Sequence, residues 1–145
     1  MATDQSIEQN KDVARRALET LWRGEYDTID DLCAAEFVGH DTTVEGDIIG
    51  PEGIKEYFRA IHAGLSETDY SINEVIAEGD RVVTRGTSKG MHSGELNGIP
   101  ASNKAIEVND IVEFRFKDGK IVESWAIPDG LSLMQQVGVI PEQGS

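Results

Sequence analysis

Apolar positions along the 145-residue chain change period about halfway through. In the first third they recur at helical spacing: Ala14, Ala17, Leu18, Leu21 and Trp22 share one side. Ser6 and Gln9 form a capping box at the start of this predicted helix, and Gly24 is placed to end it. A shorter amphipathic segment follows around Ile29, Leu32, Cys33 and Phe37. Gly50-Pro51-Glu52 then opens a third predicted helix, with Ile54, Tyr57, Phe58 and Ile61 on one side. From Thr68 onward the period is 2. Strands are predicted over 70–77, 81–92, 105–116 and 121–127, with turns at Glu78-Gly79-Asp80 and Asp118-Gly119. A glycine-rich excursion runs through Gly94, Gly98 and Pro100, and 130–137 suits a last short helix.

Helices followed by an antiparallel meander predict an α+β domain, one unit over 1–145, and not a βαβ nucleotide-binding type. Wrapping a curved sheet around the helices leaves a cone whose open end is a natural pocket. Thirteen basic residues against 27 acidic ones give a net charge of −14, which removes nucleic acid and anionic membranes as partners. The acid excess points instead to high solubility, or to life at high salt. A single cysteine, Cys33, excludes an intrachain disulfide. No apolar run reaches 18 residues and the N-terminus is too polar for a signal peptide, so the expected location is the cytoplasm.

Candidate chemistry comes from polar residues on rows that should be apolar. One face of the strand over 105–116 reads Ile106, Val108, Asp110, Val112, Phe114 and Phe116. Its carboxylate must be hydrogen-bonded, protonated or functional, unless it sits at a bulge or rim in water. Trp125, Ile127 and Asp129 share parity on the last strand. Asp129 therefore reads equally as a carboxylate activated beside an aromatic wall or as the N-cap of the final helix. His40 follows the apolar run that enters the domain. His92 ends a strand whose inner row would be Val82, Thr84, Gly86 and Ser88, small residues that leave room for a ligand. His62, at the end of the third helix, fits a solvated or dipole-stabilised position. No HxH, HExxH, CxxC, GxGxxG, Walker or GxSxG motif is present. Cofactor-free chemistry or plain binding remains.

Four stretches resemble the SnoaL-like polyketide cyclases of the nuclear transport factor 2-like superfamily. They are Glu36-Phe37-Val38-Gly39-His40-Asp41, Gly50-Pro51-Glu52-Gly53-Ile54, the segment from Gly90-Met91-His92 to Gly98-Ile99-Pro100, and that from Phe114 to Trp125 continuing through Asp129 to Gly138. Where relatives often read Pro-x-Thr-Gly-Lys, this chain has Pro100-Ala101-Ser102-Asn103-Lys104. The resemblance implies a cystatin-like cone, a curved antiparallel sheet wrapped around N-terminal helices. It also implies an intramolecular aldol closure that uses neither metal nor nucleotide. Asp129 matches the aspartate after the Glu-x-Trp motif, the acid–base group of that reaction. His40 and His92 become further catalytic candidates, placed to hydrogen-bond an oxyanion. Asp110, Trp125, Tyr57, Phe114 and Trp22 are the expected substrate-binding residues, and a homodimer is the expected assembly.

The leading expectation is thus a cyclase, isomerase or lyase acting on a small apolar carbonyl compound through Asp129. A non-catalytic module that binds a hydrophobic ligand, or a dimeric scaffold, is the alternative. A lesser one is an epoxide hydrolase built from Asp110, Asp129 and either Arg85 or Arg115, although Arg115 alternates away from Asp110.

Overall fold

The computed structural model describes residues 3–141; of the single domain expected over 1–145, residues 1–2 and 142–145 lie outside the described part. Helix α1 spans Asp4–Trp22. Its capping box is made by Thr3 and Ser6, three residues upstream of the expected Ser6–Gln9 pair. Thr3 precedes the first helical turn in extended backbone (φ −96°, ψ 165°), the geometry that lets its hydroxyl accept from the Ser6 amide. Gly24, at φ +79°, turns the chain out of the helix.

A 3₁₀ turn at Tyr26–Thr28 and a one-turn helix α2, Ile29–Leu32, come next. There the expected amphipathic segment ends, because Cys33–Asp41 is a strand, β1. It pairs antiparallel with the two-residue β2, Ile48–Ile49, and parallel with the last strand of the chain. Helix α3 spans Gly50–Gly64 with Pro51 in its first turn. Strands β3 (Leu65–Glu78), β4 (Arg81–His92), β5 (Ala105–Lys117) and β6 (Lys120–Pro128) form the expected meander, and α4 covers Gly130–Gln136.

The sheet has six strands in the order β2-β1-β6-β5-β4-β3, curved and unclosed. It is mixed rather than purely antiparallel, since β1 and β6 run the same way. Its concave face carries Phe37, Val82, Val112, Phe114 and Phe116, all buried against Ala14, Leu18 and Leu21 of α1 and Phe58 of α3. Among the described residues, no helix is long and apolar enough to cross a membrane.

Candidate active site

Between α1, α3 and the concave face of the sheet lies a cavity of about 140 Å³. Trp22, Tyr57, Phe58 and Phe114 give it an aromatic wall, and with Asp110 four of the five expected binding residues line it. Alternation on β5 works as the sequence suggests: Asp110 sits in the same row as Val108 and Val112 and faces the cavity. Its Oδ1 accepts a 2.8 Å hydrogen bond from the Tyr70 hydroxyl. Burial pushes the Asp110 carboxyl above the usual carboxylate range; the Tyr70 hydroxyl and the Gly86 amide pull it back, and the Asp41 carboxylate raises it again.

Asp41, the last residue of β1, is the second carboxylate of the cavity and was not singled out from the sequence. Three donors hold it: the Thr43 amide at 2.7 Å and hydroxyl at 2.5 Å on Oδ1, and the Tyr57 hydroxyl at 2.6 Å on Oδ2. Tyr57 is thereby fixed as a donor, and burial and the Asp41 charge both push its own ionisation upward. Tyr70, also missed, lies flat against Trp22, with ring centroids 5.2 Å apart and planes 4° apart. Its hydroxyl occupies the space above Gly86, where an added Cβ would fall 2.1 Å from it. Gly86 in the small-residue row on β4 therefore makes room for Tyr70, while Ser88 of the same row lines the cavity.

Of the three expected catalytic residues, only His40 borders the cavity. Asp129 is exposed and caps α4, accepting from the Ser132 amide at 3.0 Å; it does not line the cavity. The reason is parity: on β6 the cavity side is taken by Ser124, Ala126 and Pro128, so Trp125, Ile127 and Asp129 lie on the other side. Trp125 stacks on His40 there, at 5.6 Å, and Arg81 covers its ring.

His40 borders the cavity, but both ring nitrogens are engaged, Nε2 with Glu123 at 2.8 Å and Nδ1 with Asp47 at 3.1 Å. The Glu123 hydrogen bond holds His40 above its ordinary value of 6.5, and His40 with Arg115 holds Glu123 below the usual range. A raised histidine stabilises the fold fully below the unfolded value and loses that contribution as pH rises through the folded value. The thermal-stability advantage of wild type over His40→Gln is expected to be greatest near about pH 5 and to fade towards about pH 9. Parallel melting curves across that range check it, and an advantage that grows with pH contradicts it.

His92 is fully buried rather than at a rim. The Ser102 amide donates to its Nδ1 at 3.2 Å, so the proton is on Nε2, which has no partner. The departure at Ser102-Asn103 costs the loop little. Ser102 still supplies a hydroxyl 2.8 Å from His92, and Asn103 adopts φ +57° in place of glycine. His62 is a bridge rather than a solvated end residue: its Nδ1 meets the Tyr26 hydroxyl and its Nε2 the Trp22 carbonyl at 3.0 Å.

The epoxide-hydrolase arrangement does not assemble. Arg85 pairs with Glu74 and Arg115 with Glu123, both away from the cavity, and no arginine lines it among the described residues. Nor is any group of three or more His, Cys, Asp and Glu side chains there arranged to hold a metal ion.

A family model described as SnoaL-like polyketide cyclase matches residues 11–137. No curated protein matches. Among solved structures, a candidate SnoaL-like polyketide cyclase from Jannaschia sp. CCS1 has a TM-score of 0.87 at 21% identity, covering 97% of this chain and 99% of its own. TsrD from Streptomyces laurentii has a TM-score of 0.81 at 26% identity, covering 97% and 100%. IdmH from Streptomyces antibioticus, described as a candidate polyketide cyclase, has a TM-score of 0.78 at 26% identity over 90% and 99%.

Proposed function

We propose, from the premise that this chain belongs to the SnoaL-like polyketide cyclase family, that it is a cyclase- or isomerase-type enzyme of small molecules whose acid–base group is Asp110. One observation carries the choice of residue. Asp110 is the carboxyl that faces the apolar cavity with its ionisation pushed upward, while Asp129 caps α4 outside it. A carboxyl tuned upward is better matched to proton transfer near neutral pH.

In this reading Asp110 takes the proton from a carbon next to a carbonyl, and the C–H electron pair becomes the enolate. The cavity holds that enolate against a second carbonyl of the same molecule. A carbon–carbon bond forms, the carbonyl π pair becomes an alkoxide, and the proton on Asp110 passes to that oxygen. If the proton returns instead to a different carbon, the outcome is isomerisation. Asp41 is occupied by three donors; its task is to fix Tyr57 and to keep negative charge beside Asp110.

Deuterium uptake from D₂O into one-ring ketones, followed by NMR, tests the assignment. Uptake catalysed by wild type and by Asp129→Asn but lost in Asp110→Asn supports it; equal rates with and without Asp110 refute it.

The same proposal includes a homodimer formed through the convex face of the sheet. Ile111 and Ile127 face each other across β5 and β6 and remain 49% and 59% exposed, with Ile76 of β3 at 59%. Exposed apolar rows on a sheet mark an association surface. Sedimentation equilibrium should return twice the chain mass, and Ile111→Lys with Ile127→Lys should return the single mass; a wild-type monomer refutes the dimer.

A further inference from the structure

The walls of the cavity combine two carboxylates and the neutral polar side chains of Thr43, Ser88, Asn97 and Ser124 with apolar and aromatic side chains, and among the described residues no lysine or arginine lines it. Its one bordering histidine, His40, is tied to Asp47 and Glu123 through both ring nitrogens. Nothing in the wall can therefore neutralise an incoming anion. Charge interactions are strong in such a desolvated setting, and an anion would also lose its hydration on entry.

A cation or a neutral molecule meets the opposite situation. Asp41 has three donors, whereas Asp110 accepts from the Tyr70 hydroxyl on Oδ1 and from the Gly86 amide, fewer than a carboxylate's two oxygens can take, which leaves acceptor capacity for a ligand donor. Trp22, Tyr57 and Phe58 also line the cavity, and an aromatic ring attracts positive charge over its face. The volume of about 140 Å³ sets the size, because a dry apolar cavity of about 150 Å³ accommodates benzene.

We propose that the cavity is a charge filter: it admits one-ring ligands that are uncharged or carry a protonated amine, and refuses a carboxylate of the same size. This rests on the reading of the cavity as the active site. It narrows the substrates to neutral carbonyl compounds and makes one-ring amines competitive inhibitors.

Titration calorimetry of the purified protein with benzyl alcohol, benzylamine and benzoate at neutral pH reads the filter directly. Benzyl alcohol and benzylamine are expected to bind, with benzoate at least tenfold weaker. In Asp110→Asn the preference for benzylamine over the alcohol should fall severalfold, and the benzoate deficit should narrow. Benzoate binding as tightly as the alcohol overturns the filter, as does a deficit unchanged in both Asp110→Asn and Asp41→Asn. Failure of all three probes to bind overturns it too. A carboxylate substrate whose turnover still requires Asp110 would end the filter and leave the acid–base assignment standing.

Discussion

Asp110→Asn should lower turnover by about 10²–10⁴-fold, the usual worth of a positioned acid–base group, and should at the same time make the protein more stable. The two effects share one cause. Burial holds the Asp110 carboxyl above its ordinary value of 3.8, so ionising it in the folded state costs free energy that the unfolded chain does not spend. The sign follows from linkage. Below 3.8 both states hold the proton and there is no penalty; as pH rises through the raised folded value the penalty appears in full. An asparagine keeps the oxygen that accepts from Tyr70 but carries no charge. The variant should therefore exceed wild type by about 0.5–2 kcal/mol at neutral pH, in line with other exchanges of activity for stability, with the gap closing on acidification. Urea melts at several pH values, paired with kinetics, measure both. A variant that is less stable at pH 7 than at pH 4 relative to wild type contradicts the account.

Gly86→Ala should produce the second large effect. The methyl group would stand 2.1 Å from the Tyr70 oxygen and 2.4 Å from its ring carbon, both beneath van der Waals contact. The ring is stacked on Trp22 and has little freedom to retreat, so overpacking of about 1–3 kcal/mol is expected. Combining Gly86→Ala with Tyr70→Ala should cost less than the sum of the two, because the second change removes the clash created by the first. The functional consequence has a defined direction. Displacing Tyr70 removes the hydrogen bond that holds Asp110 down, so the acid limb of the pH–rate profile should move to higher pH. Tyr70→Phe should move it the same way without the steric cost. An unmoved limb in both variants separates Tyr70 from the chemistry.

Local periodicity makes most of the architecture legible in the sequence. Alternation on β5 alone placed Asp110 inward, and turn residues set the hairpins at Gly79 and Gly119. Cys33–Asp41 departs from its sequence pattern because Ile29, Leu32, Cys33 and Phe37 fit helical spacing, whereas the strand is decided by parallel pairing with β6, a partner distant in sequence. The same distant pairing hid Asp41, which acquires its meaning when Tyr57 of α3 closes over it. For Asp129 the N-cap alternative is the one the structure has, because the Trp125 row is the convex row, as Ser124 and Ala126 in the cavity show. The Tyr70–Gly86 fit was not legible from the sequence, although an unexplained glycine inside a strand is a known sign of close approach by another group.

The parallel seam between β1 and β6 joins Val38 to Glu123 and His40 to Trp125. Such contacts close a long loop, and the entropy of closing it is lost before the pairing returns anything. Asp41 arrives early in the chain and Asp110 late, and β6 is the strand that stands between theirs in the sheet. During synthesis the two carboxylates therefore belong to separate pieces until the final hairpin has left the ribosome. The cavity proposed as the active site is complete only after β6 has paired with β1, and recovery of activity should lag behind recovery of helix signal whenever the protein refolds.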